Sequence, residues 1–425
     1  MPDKVSYEAI VPTLQKLQPD VVGLTAYTYV LYDIYAVCRL VKQYVPKCKI
    51  VLGGPHNDIY PHETIQQDFV DYLVKGEGEQ TFAQLLDHLT GTRQLKDTPG
   101  IYFQAPEGNI VFTGERTPIQ DINALPIPAR DLAGLNQYYS IINPGYRETT
   151  IISSRGCPFR CNFCDVGGRK YRYRCAKSVA QEMRQCEETG FEFVQFMDDT
   201  FNLFPKKVKA LCHEIIAQKI TIPWCFRGRV DQVDEEMFDL LKRANCKRIF
   251  FGVESGSDEM LAYIGKRITR AQTERAFILA KQAGIETVGY FMLGFVKETR
   301  EQMLETIAFA KKIQADYVHV TITIPLPGTP LWDEVCLDPN FPKDYLRDYT
   351  HDPVKNFELL PWSQTHSYEE LYALNKKFYR EFYFRPSYLW RRLKQVRSLK
   401  ELWRKLRAAW NLMLFQFDRL VQKSA

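Results

Sequence analysis

The chain has 425 residues, 45% of them hydrophobic and 25% charged, which is an ordinary globular composition with enough apolar residues for two or three domains. Its formal net charge is +5, but residues 385–425 alone carry 11 Lys/Arg against 2 Asp/Glu. No apolar run of about 18 residues occurs, and the start, MPDKVSYEAI, lacks the layout of a signal peptide, so these features exclude a secreted or membrane-spanning class and predict a cytoplasmic protein.

Residues 1–90 alternate strand-like and helix-like patterns. Three short apolar runs, DVVGLTAY, KIVLGG and FVDYLV, are strand candidates, and the helical patterns YEAIVPTLQKLQ and YAVCRLVKQYV lie before and between them. Short apolar strands separated by helices are typical of a parallel sheet covered on its faces. Because a doubly wound domain usually has five or six strands, we predict a shortened Rossmann-like domain over 1–90.

Residues 91–146 change character, because Pro and Gly interrupt the chain repeatedly. The runs GIYFQ and NIVFT flank APEGN and predict a small hairpin. We interpret this segment as a connector.

Residues 147–335 contain six strand candidates, and helical patterns stand between them. The strands are TTIISS, FVQFMDD, WCFRGRV, RIFFGVES, TVGYFMLGF and YVHVTITIP. Successive βα units predict an α/β fold, a partial (β/α)6 TIM-like barrel, in which reactive groups gather at the carboxyl ends of the strands.

Residues 336–425 are predicted to form a helical region that ends in a basic amphipathic tail. Apolar residues recur in the tail at spacings of three and four, from Leu389 to Leu406, opposite a lysine-arginine face. The simplest interpretation is a helix packed on the barrel. The alternatives are docking to a membrane surface, which would suit a lipid-like or tetrapyrrole substrate, and RNA binding, which the pattern favours least.

Three cysteines follow the first barrel strand in the stretch SSRGCPFRCNFCDVGG. Cys157, Cys161 and Cys164 have the spacing C-x3-C-x2-C, whereas the other eight cysteines show no metal-like spacing. A structural zinc site would need a fourth ligand, and a reducing compartment disfavours disulfides. Three thiolates without a fourth suit a four-iron cluster that keeps one iron open for a ligand.

The string CPFRCNFC resembles the cysteine motif of the radical S-adenosylmethionine (radical SAM) superfamily. The resemblance implies that Cys157, Cys161 and Cys164 bind a 4Fe-4S cluster and that Phe163 packs near the adenine of S-adenosylmethionine. It also implies that the reduced cluster cleaves S-adenosylmethionine to a 5′-deoxyadenosyl radical, with electrons from an external donor such as ferredoxin or flavodoxin.

Further positions at the strand ends match segments that contact S-adenosylmethionine in this family. The resemblance assigns carboxylates to the methionine amino group, an arginine to its carboxylate (Arg229, preferred over Arg227), a Glu-Ser pair to the ribose and a glycine to the adenine. The corresponding residues are Asp198, Asp199, Arg229, Glu254, Ser255 and Gly294. For the two aspartates, capping of the following helix is the structural alternative.

The front domain resembles the cobalamin-binding domain found ahead of many radical SAM barrels, including those of anaerobic magnesium-protoporphyrin ester cyclase-like enzymes and radical C-methyltransferases. The corresponding loop positions are Thr25, Gly53, Gly54, Pro55, His56, Gly76, Glu77 and Gly78. No D-x-H-x-x-G motif offers a lower cobalt ligand. The resemblance also implies that this chain begins where the family has usually completed its first βα units. We therefore expect weak or absent cobalamin binding by this chain and stronger binding by any longer form.

The leading functional interpretation is a radical SAM enzyme that modifies an unactivated carbon of a hydrophobic small molecule, by methyl transfer or oxidative cyclisation. One alternative is methylthiolation of RNA or protein, although the three extra cysteines of that family are missing. Another is a non-catalytic accessory protein that carries the cluster. Nucleic acid is not an expected partner, and the tail makes peripheral contact with a membrane surface the alternative to a purely cytoplasmic location.

Overall fold

The computed structural model describes residues 6–132 and 146–394. The described residues divide into two compact units, which comprise 6–132 with 325–360 and 146–324 with 361–394. Short 3-10 turns occur at Tyr7–Ile10, Thr28–Val30, Leu95–Asp97, Ile122–Ala124 and Arg130–Leu132.

The first unit is built on a five-stranded sheet. Its strands are β1 (Val21–Thr25), β2 (Lys49–Gly53), β3 (Tyr72–Val74), β4 (Ile101–Gln104) and β5 (Ile110–Phe112), in that spatial order. The first three strands pair in parallel, as predicted, and β4 and β5 pair antiparallel. The predicted hairpin therefore exists, but it extends this sheet, whereas the sequence suggested a connector.

Helices cover both faces of that sheet. They are α1 (Val11–Leu17), α2 (Leu31–Tyr44), α3 (Pro55–Ile59), α4 (Pro61–Ile65) and α5 (Gly78–Leu89). Successive side chains of a strand point to opposite faces, so Ile50 and Leu52 pack in the core that contains α2, whereas Val51 packs with Leu85 of α5. Burial on both faces explains why Ile50, Val51 and Leu52 of β2 are all apolar.

The second unit contains the predicted six-stranded parallel sheet. Its strands are β6 (Glu148–Ile151), β9 (Phe193–Phe196), β10 (Trp224–Gly228), β11 (Cys246–Glu254), β12 (Glu286–Leu293) and β13 (Tyr317–Ile322), in the order β13-β12-β11-β10-β9-β6. A small antiparallel ribbon, β7 (Ser154–Arg155) with β8 (Arg172–Tyr173), brackets the cysteine segment. The connecting helices are α6 (Ala176–Glu188), α7 (Pro205–Ala217), α8 (Glu235–Arg243), α9 (Asp258–Tyr263), α10 (Arg270–Ala283) and α11 (Arg300–Lys312).

Alternation along the strands separates an outer face, covered by helices, from an inner face. Phe251 contacts Phe277 of α10, with ring centroids 5.4 Å apart. The neighbouring Phe250 instead joins Phe193, Cys225 and Val288 in a separate apolar cluster. We call the side of the sheet that carries this cluster the inner face.

The helices after β13 are divided between the two units, with residues 325–360 in the first unit and residues 361–394 in the second. In the first unit, α12 (Pro330–Val335) and α13 (Tyr345–His351) join the sheet and its helices, and the Tyr35 hydroxyl donates to the Thr350 carbonyl at 3.2 Å. The predicted limits grouped these residues with the C-terminal region from 336, so the structure divides that region differently.

In the second unit, α14 (Tyr368–Tyr383) covers the edge strand β13. The Tyr379 and Tyr383 hydroxyls accept hydrogen bonds from the backbone amides of Val320 and Val318 at 2.9 and 3.0 Å. This contact protects an edge that would otherwise be open to pairing. Helix α15 (Pro386–Lys394) follows, and the rest of the predicted basic tail lies outside the described residues. Over the described ranges, no helix has the length and apolar character needed to cross a bilayer.

Candidate functional site

The cysteine segment is a tight loop at the carboxyl end of β6. A bridge pairs Cys157 with Gly167, and the Gly168 amide donates to the Phe159 carbonyl at 2.8 Å. Gly156 has φ +85°, and a Cβ there would lie 2.4 Å from the Lys170 carbonyl oxygen. Glycine is thus required where the chain turns back beside the first cysteine.

The three thiols lie in one electrostatic neighbourhood. Cys161 is buried, Cys157 and Cys164 are half-buried, and all three are free. Burial raises the pKa of Cys161, and it raises the pKa of Cys164 to about 11, with smaller increases from the neighbouring thiols. The Thr200 hydroxyl donates to Cys157 Sγ at 3.2 Å. Three mutually interacting thiols without a disulfide are a donor set that fits an iron–sulfur cluster.

The three thiols are near one another but do not converge on one point in this structure. Across residues 6–132 and 146–394, no group of three or more His, Cys, Asp or Glu side chains has the geometry of a metal site. What the loop provides is the ligand chemistry and its position at a strand end.

Positive charge lies close to this loop. Lys266 and Arg229 oppose the rise in the pKa of Cys161, because a cation favours the thiolate form. The loop is also fixed to the segment before Lys266, where the Asn162 amide donates to the Ile264 carbonyl at 3.0 Å. The loop and the cations therefore belong to one site.

Asp198 is a structural anchor in this geometry. Its buried carboxylate accepts hydrogen bonds from the Ser153 amide at 2.8 Å and from the hydroxyls of Ser153 and Ser154 at 2.5 Å each. Burial raises its pKa to about 6, and these hydrogen bonds oppose the rise. Asp199 is exposed and accepts from the Gly156 amide at 2.7 Å. Of the two aspartates, Asp199 is therefore the one whose carboxylate is accessible to a ligand.

Arg229 is likewise engaged within the protein. Its guanidinium is paired with Asp231 at 2.8 Å, donates to the Lys266 carbonyl at 2.8 Å and stacks on Phe159 at 3.6 Å from the ring centroid. These contacts tie the cysteine loop to the end of β10 and to the segment that follows α9. They support a role in positioning this loop, and the neighbouring Arg227 has fewer contacts.

Glu254 ends β11 in a strained position. It has φ +66°, which is uncommon for a residue other than glycine, and a register shift in the β11–β12 pairing immediately precedes it. Its carboxylate accepts from Lys266 Nζ at 2.7 Å, and both side chains are only 10% exposed. Strain that the surrounding structure maintains is common at functional sites.

Ser255 and Gly294 differ in what they offer a ligand. The Ser255 hydroxyl is fully buried and bonds to Thr306 of α11 at 3.1 Å, so it fastens a helix. Gly294 has φ +78°, and a Cβ there would lie 2.8 Å from Leu371. The following Phe295 has its ring centroid 5.9 Å from that of Phe163, so these aromatic residues lie between the cysteine loop and the end of β12.

Sequence reasoning missed Glu298. Its fully buried carboxylate accepts from the amides of Gly294 and Phe295 at 2.7 and 3.2 Å, while its Oε1 has no hydrogen-bond partner. Burial raises its pKa to about 7. Its position four residues after Gly294 could have indicated this role, because an acidic side chain at that spacing can accept hydrogen bonds from the amides of the turn.

In the first unit, the candidate cobalamin loops follow the ends of β1, β2 and β3. Thr25 is in register with Gly53, and the Ala26 amide donates to the Gly53 carbonyl at 2.6 Å. Gly54 has φ +101°, and a Cβ there would lie 2.8 Å from the Ala26 carbonyl oxygen, whereas a Cβ at Gly53 meets nothing within 4 Å. Pro55 then begins α3.

His56 is held inside the first unit. Its ring nitrogens bond to the hydroxyls of Thr28 and Thr64 at 2.9 and 3.0 Å, and burial lowers its pKa to about 4. Both nitrogens are therefore occupied, so the ring is a packing element here. The adjacent Asn57, which sequence reasoning missed, is fully buried, and both of its amide atoms lack a partner.

The third loop joins the same cluster of strand ends. The Gly76 amide donates to Asp58 at 2.9 Å, the Ile119 amide donates to Glu77 at 2.8 Å, and Gly78 begins α5. A Cβ at Gly76 would also meet nothing within 4 Å. Open glycines and the unpaired Asn57 amide at adjacent strand ends fit a large ligand that approaches the backbone closely.

Two family models match this chain, the Radical SAM superfamily over residues 151–310 and the B12 binding domain over residues 1–86. An uncharacterized methyltransferase of Pyrococcus horikoshii is 34% identical over 91% of this chain and 83% of that protein. The anaerobic magnesium-protoporphyrin IX monomethyl ester cyclase of Rubrivivax gelatinosus is 29% identical over 79% of this chain and 62% of that protein.

Among solved structures, the fold resembles that of the cobalamin-dependent S-adenosylmethionine radical enzyme OxsB with aqua-cobalamin and S-adenosylmethionine bound. The TM-score is 0.72 at 18% identity, and the match covers 96% of this chain and 65% of that chain. At this identity the likeness concerns the fold alone.

Proposed function

The chain belongs to the radical SAM superfamily, in the group that carries a B12 binding domain, and from this premise we propose that it transfers a methyl group to an unactivated carbon of a hydrophobic small molecule. The observation that carries the proposal is the single loop with three interacting thiols, at the end of the first strand of a six-stranded parallel sheet.

The cofactors implied by this family are a 4Fe-4S cluster and S-adenosylmethionine, and the front domain supports cobalamin as a third. Cys157, Cys161 and Cys164 would hold the cluster. When bound, these cofactors supply a strong reductant, a sulfonium methyl donor and a corrinoid methyl carrier.

The protein's own residues would bind and orient these groups. Lys266 and Arg229 favour the thiolate form of Cys161, which a metal ligand requires. The half-buried Phe163, packed against the fully buried Phe295, is our candidate for contact with adenine. Gly294 is our candidate for backbone contact with the same ring. Glu254 is our candidate for the ribose hydroxyls, and Asp199 for the methionine amino group, because carboxylates accept hydrogen bonds from both.

Oxidative cyclisation is the second candidate, because the match to the Rubrivivax gelatinosus cyclase covers 79% of this chain. Methyl transfer is favoured because the match to the Pyrococcus horikoshii protein, which is named as a methyltransferase, is longer and more identical. In either case we expect a small-molecule substrate and an external electron donor as partners.

The decisive experiment is a turnover assay on anaerobically reconstituted protein with dithionite and S-adenosylmethionine. We expect slow release of 5′-deoxyadenosine, which is lost when Cys161 is replaced by Ala and kept when the exposed Cys175 is replaced by Ala. No 5′-deoxyadenosine from the wild type would favour a cluster-bearing accessory protein. Titration with hydroxocobalamin then tests the front domain. The sequence predicts weak or absent binding by this chain, and tight one-to-one binding would instead support a cobalamin-dependent methyl transfer or cyclisation.

A further inference from the structure

The inner face of the second unit carries polar side chains that the cofactor assignments leave unused. Arg227 of β10 is in register with Phe250 of β11, which faces inward, and Tyr290 of β12 is in register with His319 of β13. In parallel strands, residues in register lie side by side on one face. Arg227, Tyr290 and His319 therefore share the inner face with Phe250.

Arg227 is a cation without an acidic partner. Its Nε is buried and makes no hydrogen bond, and over residues 6–132 and 146–394 no ion pair joins its guanidinium to a carboxylate. Among the nearby carboxylates, Asp231 pairs with Arg229 and Glu254 pairs with Lys266. Glu148 of β6 lies on the same face, in register with Phe193. A largely desolvated guanidinium that keeps free donors is suited to an anionic ligand.

Tyr290 and His319 complete the polar end of the cluster. Burial raises the pKa of Tyr290, and the charge of Arg227 with a hydrogen bond to it opposes that rise, so the phenol and the guanidinium are direct neighbours. The His319 ring lies edge-on to Tyr290, with centroids 5.5 Å apart. His319 is exposed on this face. The surrounding protein and the charge of Arg227 lower the pKa of its imidazole, which favours the neutral form with one N–H donor.

The half-buried ring of Tyr290, backed by the buried Phe250, forms an aromatic wall on the same face. The rings of Phe250 and Tyr290 are stacked, with centroids 5.7 Å apart and an interplanar angle of 20°. Flat apolar surface beside a few convergent polar groups is typical of small-molecule sites. The two features would therefore contact different parts of one ligand. The aromatic wall would contact the apolar body of the ligand, and the polar end would bind its charged group.

We propose that Arg227, Tyr290 and His319 form a subsite for the carboxylate of the second substrate, a flat hydrophobic molecule that carries at least one such group. This inference rests on the proposed function, because it assumes that a second substrate enters the inner face. The methionine end of S-adenosylmethionine also carries a carboxylate, so the experiment has to distinguish these two sources.

The test uses reconstituted holoenzyme saturated with S-adenosylmethionine, and 2-naphthoate as the probe with neutral 2-naphthamide as its control. Calorimetric titration should show that the acid binds and that the amide binds at least about 10-fold more weakly, because a charged hydrogen-bonded pair is lost. Arg227→Met should weaken naphthoate binding by about 10-fold or more. Arg243→Met removes the same charge from the exposed surface of α8 and should leave binding unchanged.

A second variant, Tyr290→Phe, and the affinity for S-adenosylmethionine provide two further tests. Tyr290→Phe keeps the aromatic wall and should weaken naphthoate several-fold, which provides a second readout if Arg227→Met folds poorly. Equilibrium dialysis of S-adenosylmethionine against each variant should show unchanged affinity. A loss of S-adenosylmethionine binding in Arg227→Met would assign the subsite to the cofactor and overturn the inference.

Naphthoate binding that does not depend on Arg227, or no naphthoate binding at all, would equally overturn it. Formation of 5′-deoxyadenosine without substrate should persist in the control variant Arg243→Met. If the wild type releases no 5′-deoxyadenosine, the proposed function is contradicted. The naphthoate titrations still test the carboxylate subsite independently of that result.

Discussion

Replacing Glu254 with Gln separates two roles of this residue, because its buried pair with Lys266 and its proposed contact with ribose respond differently. The carboxylate accepts from Lys266 Nζ at 2.7 Å, and each side chain is only 10% exposed. Removal of one partner leaves a buried lysine charge without compensation, which typically costs about 3–5 kcal/mol. The double variant Glu254→Gln/Lys266→Met removes that charge as well, so it should regain most of the lost stability.

The assay is urea unfolding of the intact chain, with far-ultraviolet circular dichroism as the signal. A loss of about 3–5 kcal/mol corresponds to a fall of about 1–2 M in the urea midpoint, if the slope is about 3 kcal/mol per M. The single variant should show this fall, and the double variant should return to within about 0.5 M of the wild type. A single variant with an unchanged midpoint would refute the description of this pair as buried and mutually dependent.

Affinity for S-adenosylmethionine supplies the second readout in the same variants. If Glu254 accepts hydrogen bonds from the ribose hydroxyls, the double variant should remain about 10-fold weaker than the wild type despite its recovered stability. Normal affinity in the stable double variant would remove Glu254 from the proposed ribose site.

Three further predictions follow from the same geometry. The pKa of Asp198 is raised from 3.8 to about 6, so its contribution to stability is present below pH 3.8 and is lost as the pH rises through 6. The free energy of unfolding of Asp198→Asn should therefore rise by up to about 3 kcal/mol relative to that of the wild type between pH 4 and pH 8. Urea midpoints measure this difference, and parallel pH profiles of the two proteins would contradict it. Gly156→Ala places a Cβ 2.4 Å from the Lys170 carbonyl oxygen at φ +85°, so it should lower iron incorporation, whereas Gly91→Ala, also at positive φ but with open space around it, should not; equal iron content in both would refute the steric argument. Glu298→Gln removes a carboxylate whose pKa is raised to about 7, so the pH dependence of S-adenosylmethionine binding between pH 6 and 8 should flatten, and an unchanged profile would show that this carboxylate does not position the Gly294 turn.

Local sequence patterns determined the strands and helices of both units and the position of the cysteine loop. Strand-like runs of six to nine residues predicted the parallel strands of each unit, because burial of a strand depends on its own side chains. The helix starts at Thr269 and Thr299 are also encoded locally, since each threonine forms a capping box with the glutamine three residues later. The radical SAM and B12-type resemblance was confirmed because it depends on short contiguous motifs.

Tertiary structure alone decided which polar groups are left for ligands. Asp198 and Ser255 look equally available in the sequence, yet partners 44 to 51 residues away saturate them. Arg229 is saturated in the same way, through Asp231 and the Lys266 carbonyl, whereas Arg227, two residues earlier, faces the inner side without an acid. The hairpin at 101–112 likewise joined the first sheet because β3 presented an unpaired edge. Each outcome depends on contacts between segments distant in sequence, which periodicity and spacing do not encode.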